Sequence, residues 1–409
     1  MATIRAFRAL RPSSESAPHV SAVPYDVVNT AEAAALASGN SLSFLHVSRP
    51  EIDLPEGTDI YSDAVYAKAA ENFEKLKANA PMFVEETPSL YVYRLRMGEH
   101  TQSGIAACCS VDEYDSDIVR KHERTRKDKE DDRTRHMLSL RAQTGPVFLT
   151  YRGRDEINDL VIRAQQQDAL YDFVATDGVA HTIWRVSDAD RDLLVEAFNA
   201  VPRLYIADGH HRAASASRAR AELSKNPDHD GNEEYNFFLA VLFPADQLQI
   251  LPYNRAVKEL NGMSPNVFLS EVSKKFDVTD AASPFPEQKS EINMYLSGKW
   301  HRLTLPLGTT NPIDLLSSLD VSVLQERLFD PLLGIVDVRT DKRIDFVGGI
   351  RGPSALEQMV DQKHAAVAFS VYPVTVNELM SIADANDIMP PKSTWFEPEL
   401  RDGFLSHLI

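Results

Sequence analysis

Apolar residues recur along this chain with two distinct periods. Between residues 62 and 77, Ala64, Ala67, Ala70 and Phe73 fall three apart, which predicts an amphipathic helix. Residues 89–95 and 104–111 read as two strands joined through a turn at Gly98-Glu99-His100. Residues 146–151 and 203–207 have the same strand character, and residues 21–28 enter a strand that Pro24 interrupts. The run 237–243 is apolar at every position, which predicts a strand covered on both faces of a sheet. After His211 an alanine-rich stretch to about Lys225 favours helix. From residue 261 short strands such as 302–307 alternate with helical patterns at 314–329 and 354–363, and residues 283–287 read as a surface loop.

Strands and helices mixed in this way predict an α/β (mixed α+β) protein. At 409 residues the chain is longer than one hydrophobic core sustains. Its changes of character divide it into an N-terminal α/β region (1–112), a central core (113–260) and a C-terminal α/β region (261–409). Hydrophobic residues make up 43% and charged residues 25%, the balance of a globular protein. The net charge of -17 repels polyanions, so nucleic acid is not an expected partner without a strong basic stripe. Cys108 and Cys109 are adjacent in a predicted strand and point to opposite faces, which makes them buried thiols rather than a disulfide. The charged start Met1-Ala2-Thr3-Ile4-Arg5 lacks the apolar stretch of a signal peptide, and no window has the length and hydropathy of a membrane span. The expected address is the cytoplasm, with no membrane partner.

The strongest chemical signal is Asp208-Gly209-His210-His211-Arg212, set between a predicted strand and a predicted helix. A helix start leaves backbone N–H groups unpaired at the positive end of its dipole, a ready site for phosphate. Gly209 permits close approach of a ligand, Arg212 suits fork-like contact with phosphate oxygens, and His210 and His211 add donors. Asp208 would cap the helix or hold Mg²⁺. The plainer reading is a capped helix with solvent-facing histidines. A zinc site is a further alternative, but adjacent histidines rarely share one ion.

The second signal is Lys121-His122-Glu123-Arg124-Thr125. From Arg120 to Arg135 eight basic residues face five acidic ones, a cationic island that would focus a charged small ligand. Glu123 among these cations is a candidate general base for a hydroxyl acceptor. The third signal is Met389-Pro390-Pro391-Lys392-Ser393-Thr394-Trp395-Phe396-Glu397-Pro398, where consecutive prolines stiffen the backbone. It presents Lys392 for a phosphate and Ser393 and Trp395 for a substrate, or else straps the core with Trp395 and Phe396. No GxxxxGK[ST] loop and no protein-kinase motif set occurs, and Gly348-Gly349-Ile350-Arg351-Gly352 reads as a turn.

Together with Pro24-Tyr25-Asp26-Val27, these three motifs resemble a widespread prokaryotic family labelled as a conserved domain of unknown function, over nearly the whole chain. The Asp-Gly-His-His-Arg element also resembles the phosphate-binding motif of the ParB/sulfiredoxin superfamily, in the form found in free serine kinases. That resemblance implies a ParB/sulfiredoxin-like catalytic core with N- and C-terminal elaborations. It implies a kinase that phosphorylates the hydroxyl of a free amino acid, L-serine first, with ATP or ADP and Mg²⁺. Asp208, Gly209, His210, His211 and Arg212 would engage the phosphates and Mg²⁺ (Asp208), with Thr125 and Lys392 beside them. Glu123 would be the base, with Asp208 and His211 catalytic, and His122, Ser393 and Trp395 would line the substrate. A departure is the 85-position gap between Glu123 and Asp208, longer than in compact kinases of this kind. Sulfiredoxins carry a reactive cysteine where His210 stands, so that chemistry is not expected. Two rivals remain open: a nucleotide-binding switch without kinase activity, and a metal-dependent hydrolase. Donor nucleotide (ATP, ADP or CTP) and a homo-oligomeric state are also open.

Overall fold

The computed structural model describes residues 1–80, 82–306, 308–309 and 314–409. The chain forms two compact units, Met1–Leu248 with Pro398–Ile409, and Gln249–Glu397. Both are built from strands and helices, a mixed α/β protein.

The first unit is organised by a mixed nine-stranded sheet. Its strands are β1 (Ile4–Arg5), β2 (Tyr91–Met97), β3 (His100–Ser110), β4 (Val119–Arg120), β5 (Val147–Tyr151), β6 (Tyr171–Val174), β7 (Ala180–Arg185), β8 (Leu204–Asp208) and β9 (Phe237–Pro244). The order is β4-β8-β5-β9-β3-β2-β7-β6, with β1 beside β3. The all-apolar β9 runs between β5 and β3, parallel to the first and antiparallel to the second, where both of its faces are covered. Cys108 and Cys109 lie in β3 as free, buried thiols, and burial raises the pKa of each. Residues 21–28 make only an isolated bridge from Ala22 to Asp402 before a turn, since Pro24 cannot donate to a ladder.

Three helices position the site. Helix α1 (Asp63–Asn79) forms where its periodicity predicts it, but buries Val65, Tyr66, Ala69, Phe73 and Leu76. Ala64 and Ala67 face solvent, because larger side chains gain more from burial and decide which stripe turns inward. Helix α2 (Lys127–Leu140) begins inside the charged run, so half of that run is helical. Helix α3 (His210–Leu223) buries Ala213, Ala214, Ser215, Ala216 and Ala219, and these small residues let it pack closely on α2.

The second unit holds a six-stranded antiparallel sheet. Its strands are β10 (Tyr253–Val257), β11 (Asp277–Asp280), β12 (Glu291–Leu296), β13 (Lys299–Thr304), β14 (Ile344–Gly348) and β15 (Val367–Val371), in the order β11-β13-β12-β15-β10-β14. Strand β13 covers only the start of the predicted 302–307 strand, and Leu307 lies outside the described residues. The helical pattern at 314–329 becomes a short helix, Asp320–Leu324, running into a π-helical turn, Gln325–Phe329. The pattern at 354–363 becomes α4 (Gly352–Asp361). Among the described residues no helix is long and apolar enough to cross a membrane.

Candidate functional site

Strand β8 ends by delivering Asp208 to a turn at Gly209, and α3 starts at the next residue. Gly209 takes φ 92° and ψ 28°, a left-handed conformation that costs an L side chain energy. A Cβ at this position would also stand 3.1 Å from Arg212 Nε and 3.2 Å from its Cζ. Gly209 is itself the N-cap residue of α3 and offers no side chain to it, and the first turn of the helix holds no acidic residue. The carboxylate of Asp208 is ion-paired with Arg212 one turn along. The opening N–H groups of a 14-residue helix lack intrahelical partners here, at the positive end of its dipole.

The parallel pairing of β4 with β8, Leu204 opposite Val119 and Tyr205 opposite Arg120, brings the two strongest sequence signals together. The His122 ring stands edge-on to His210 at 4.5 Å between centroids, and the His122 N–H donates to His210 Nε2 at 3.5 Å. The Arg126 N–H donates to His211 Nε2 at 3.0 Å. Burial pushes the His122 imidazole down to about 4. Burial, with His122 nearby, holds His210 well below the ordinary histidine range, and burial also lowers His211. With Nε2 of His210 and of His211 accepting from backbone, each neutral ring carries its proton on Nδ1. The histidines are thus neutral, with His122 and His210 enclosed and His211 half-buried, and Arg212 supplies the fixed positive charge.

Arg212 is buried and donates to Pro146 O and to Asp208. Burial works against its charge, but Asp208, Asp26 and Asp402 together raise its pKa above the usual value. Its Nε and the His122 Nδ1 are buried without a hydrogen-bond partner among the described residues. Behind Arg212 lies a small cavity of about 40 Å³, whose lining includes Tyr25, Arg133, His136, Gln143 and Asp402. Arg133 holds Asp132 at 2.8 Å and stacks over the Tyr25 ring at 4.0 Å. Burial pushes His136 down to about 4, and its Nε2 bonds Val47 O at 2.8 Å. Burial pushes the Asp402 carboxyl up to about 7 against the opposing pull of Arg212. Sequence reasoning missed Tyr25, Arg133, His136 and Asp402 as site residues. Tyr25 stood in a motif without chemistry assigned to it, and nothing local marks Asp402, which a bridge to Ala22 brings in.

The cationic island is compensated in part, since Arg218 of α3 takes up two of its acids. Lys121 bonds Asp117 at 2.7 Å and Tyr114 O at 2.8 Å, Arg126 pairs with Asp128 at 2.7 Å, and Arg218 of α3 pairs with Glu130 and Asp131. The Thr125 hydroxyl donates to Glu130. Glu123 is half-buried in the loop between β4 and α2, next to His122. Lys392, Ser393 and Trp395 belong to the second unit. There the Lys392 carbonyl accepts from Arg255 at 2.9 Å, Ser393 Oγ donates to Pro390 O at 2.6 Å, and Trp395 stands edge-on to Tyr253 with centroids 5.0 Å apart. Among the described residues no three His, Cys, Asp or Glu side chains converge as metal ligands, and Asp208 is held by Arg212. These residues make no protein-built magnesium or zinc site.

A family model described as "Protein of unknown function (DUF1015)" matches residues 4–322. The chain belongs to the DUF1015 family. No curated protein matches it. Among solved structures, this DUF1015 protein is similar to a conserved hypothetical protein from Pyrococcus furiosus at 13% identity. That match covers 74% of this chain and 95% of the other, with a TM-score of 0.37. A free serine kinase in complex with AMP is similar at 13% identity, over 72% of this chain and 86% of the kinase, with a TM-score of 0.37. C-terminally truncated SbnI from Staphylococcus aureus follows at 11% identity, over 72% and 84%, with a TM-score of 0.36. Likeness at this level decides neither the DUF1015 fold nor its activity.

Proposed function

We propose that this DUF1015 protein is a nucleotide-dependent small-molecule kinase that phosphorylates the hydroxyl of a free amino acid, L-serine first. The observation that carries the reading is the start of α3: a left-handed Gly209, opening N–H groups, and a buried Arg212 whose Nε has no hydrogen-bond partner among the described residues. Such a terminus favours an anion that spreads charge over several oxygens, as a phosphate chain does. The segment 113–260 then acts as a ParB/sulfiredoxin-like core, flanked by 1–112 and 261–409, in a cytoplasmic setting.

In this reading the donor's phosphates lie against the N–H groups of Gly209, His210 and His211. Arg212, oriented by Asp208, faces the transferring group, and His211 donates from Nδ1. Glu123 takes the proton of the serine hydroxyl as its oxygen bonds to the terminal phosphorus and the bridging P–O bond to the nucleotide breaks. Mg²⁺ accompanies the nucleotide rather than occupying a cage of side chains. The geometry favours this over the metal-dependent hydrolase, for which no ligand cluster is at hand among the described residues.

Serine-dependent release of nucleoside diphosphate, measured beside equilibrium nucleotide binding, tests the assignment of the base. Glu123→Gln is expected to lower turnover at least ~100-fold, in keeping with the loss of a positioned general base. Nucleotide affinity should stay within about twofold, since a general base acts on the acceptor rather than the donor. Equal loss of turnover and of binding would remove Glu123 from that role.

A further inference from the structure

The second unit carries a half-open cavity of about 290 Å³, near the lower limit for small-molecule sites. Its walls include Phe329, Val338, Pro390 and Pro391, so the prolines of the stiff C-terminal motif form one side. Arg255 of β10 reaches into it and is only 2% exposed. Its guanidinium donates to two carbonyls, Tyr253 O and Lys392 O, and lies over the Phe346 ring. The carboxylate on the cavity wall, Asp337, grips Arg339 through both oxygens, at 2.9 and 2.8 Å. Among the described residues no carboxylate pairs with Arg255, and Pro81, Leu307, Thr310, Asn311, Pro312 and Ile313, the remainder of the chain, include no acid. Burial accordingly pushes the Arg255 guanidinium down to about 9. A buried cation is normally paired, and one held by carbonyls at the edge of a cavity is set to receive an anion.

A second polar group converges on the same space. Gln325 opens the π-helical turn Gln325–Phe329, a distortion that recurs at functional sites. Its Nε2 donates to Ile335 O at 2.8 Å and Val336 O at 3.2 Å. Its Oε1 is buried without a hydrogen-bond partner among the described residues. Because the amide nitrogen is committed, the oxygen is an acceptor without a donor, and a ligand donor meets it once the side chain turns toward the cavity.

We propose that this cavity binds a small monocarboxylate with an apolar body and a hydrogen-bond donor beside the carboxylate, such as an apolar α-hydroxy acid. The carboxylate lies on Arg255, the donor on Gln325 Oε1, and the body against Phe329, Val338 and the two prolines. The site is independent of the kinase reading and would stand if that reading fell.

Saturation-transfer NMR and titration calorimetry of the full chain in low-chloride buffer test it with three probes that share one ring. Phenylacetate is expected to bind at about 1 mM or tighter. Mandelate, which adds only the donor, should bind tighter still, and 2-phenylethanol, which lacks the carboxylate, at least ~10-fold weaker. Arg255→Met should abolish the preference for the carboxylate without lowering the melting temperature, because it removes an uncompensated buried charge. Val336 is 74% exposed at the cavity, and Val336→Trp should weaken binding with Arg255 intact, so the test survives if Arg255→Met fails to fold. Equal binding of phenylacetate and 2-phenylethanol overturns the proposal. So does equal phenylacetate affinity of the wild type and both variants, or no saturation of the wild type at ~10 mM.

Discussion

Arg212 stands between two polar environments of the first unit. On one side it meets the Gly209 turn and Asp208, and on the other the cavity with Asp402 and Arg133. Gly209 keeps this arrangement open, since any Cβ would press on the guanidinium. Gly209→Ala should therefore weaken nucleotide binding at least ~10-fold and destabilise the fold by about 1–2 kcal/mol, the cost of a left-handed L residue. Nucleotide titration and chemical denaturation read the two effects, and unchanged affinity would place the phosphates elsewhere. Asp402 carries a pH signature. Its folded pKa, near 7, lies above the ordinary aspartate value of about 3.9, so the folded state holds its proton more tightly. The stability it contributes is fully present below pH ~4 and is lost as pH rises through about 7. Asp402→Asn should flatten the fall in melting temperature between pH 5 and pH 8. Parallel curves for wild type and variant would contradict that protonation state.

Helix α1 supports the site through α2. The Tyr66 hydroxyl donates to Asp132 at 2.9 Å, Asp132 holds Arg133, and Arg133 covers Tyr25 at the cavity. Tyr66→Phe leaves a buried carboxylate short of one donor and should cost about 1–3 kcal/mol, read as a lower urea midpoint at unchanged slope. A midpoint within error of wild type would mean that Asp132 is satisfied without it. Elements whose signal is local were legible in the sequence. The strand, glycine turn and alanine-rich helix at 203–223 and the apolar strand at 237–243 each declare themselves within a dozen residues. Helix α1 was legible but not its buried face, because counting alanines gave weight to residues with little surface to bury. The charged run gave no helix start, since its charges pair across α2 and α3, between residues 85 or more positions apart. Tyr25 and Asp402 were illegible for the same reason: only the folded chain brings its two ends to Arg212.

Across the whole molecule, the net charge of -17 coexists with buried guanidinium groups in both units, Arg212 in the first and Arg255 in the second. These cations are set inside, where a low dielectric strengthens their pull on an anion. The segment Pro398–Ile409 returns to complete the first unit, pairing Leu408 with Ala142 and His407 with Gln143 and bringing Asp402 to the cavity. The most direct test is phosphorus NMR of the purified protein with ATP, Mg²⁺ and L-serine, repeated with Arg212→Ala. The account predicts a phosphomonoester resonance that requires serine and is lost in the variant. Bound nucleotide that is slowly hydrolysed, with no serine-dependent monoester from ATP or ADP, would contradict it and point to a nucleotide-binding switch.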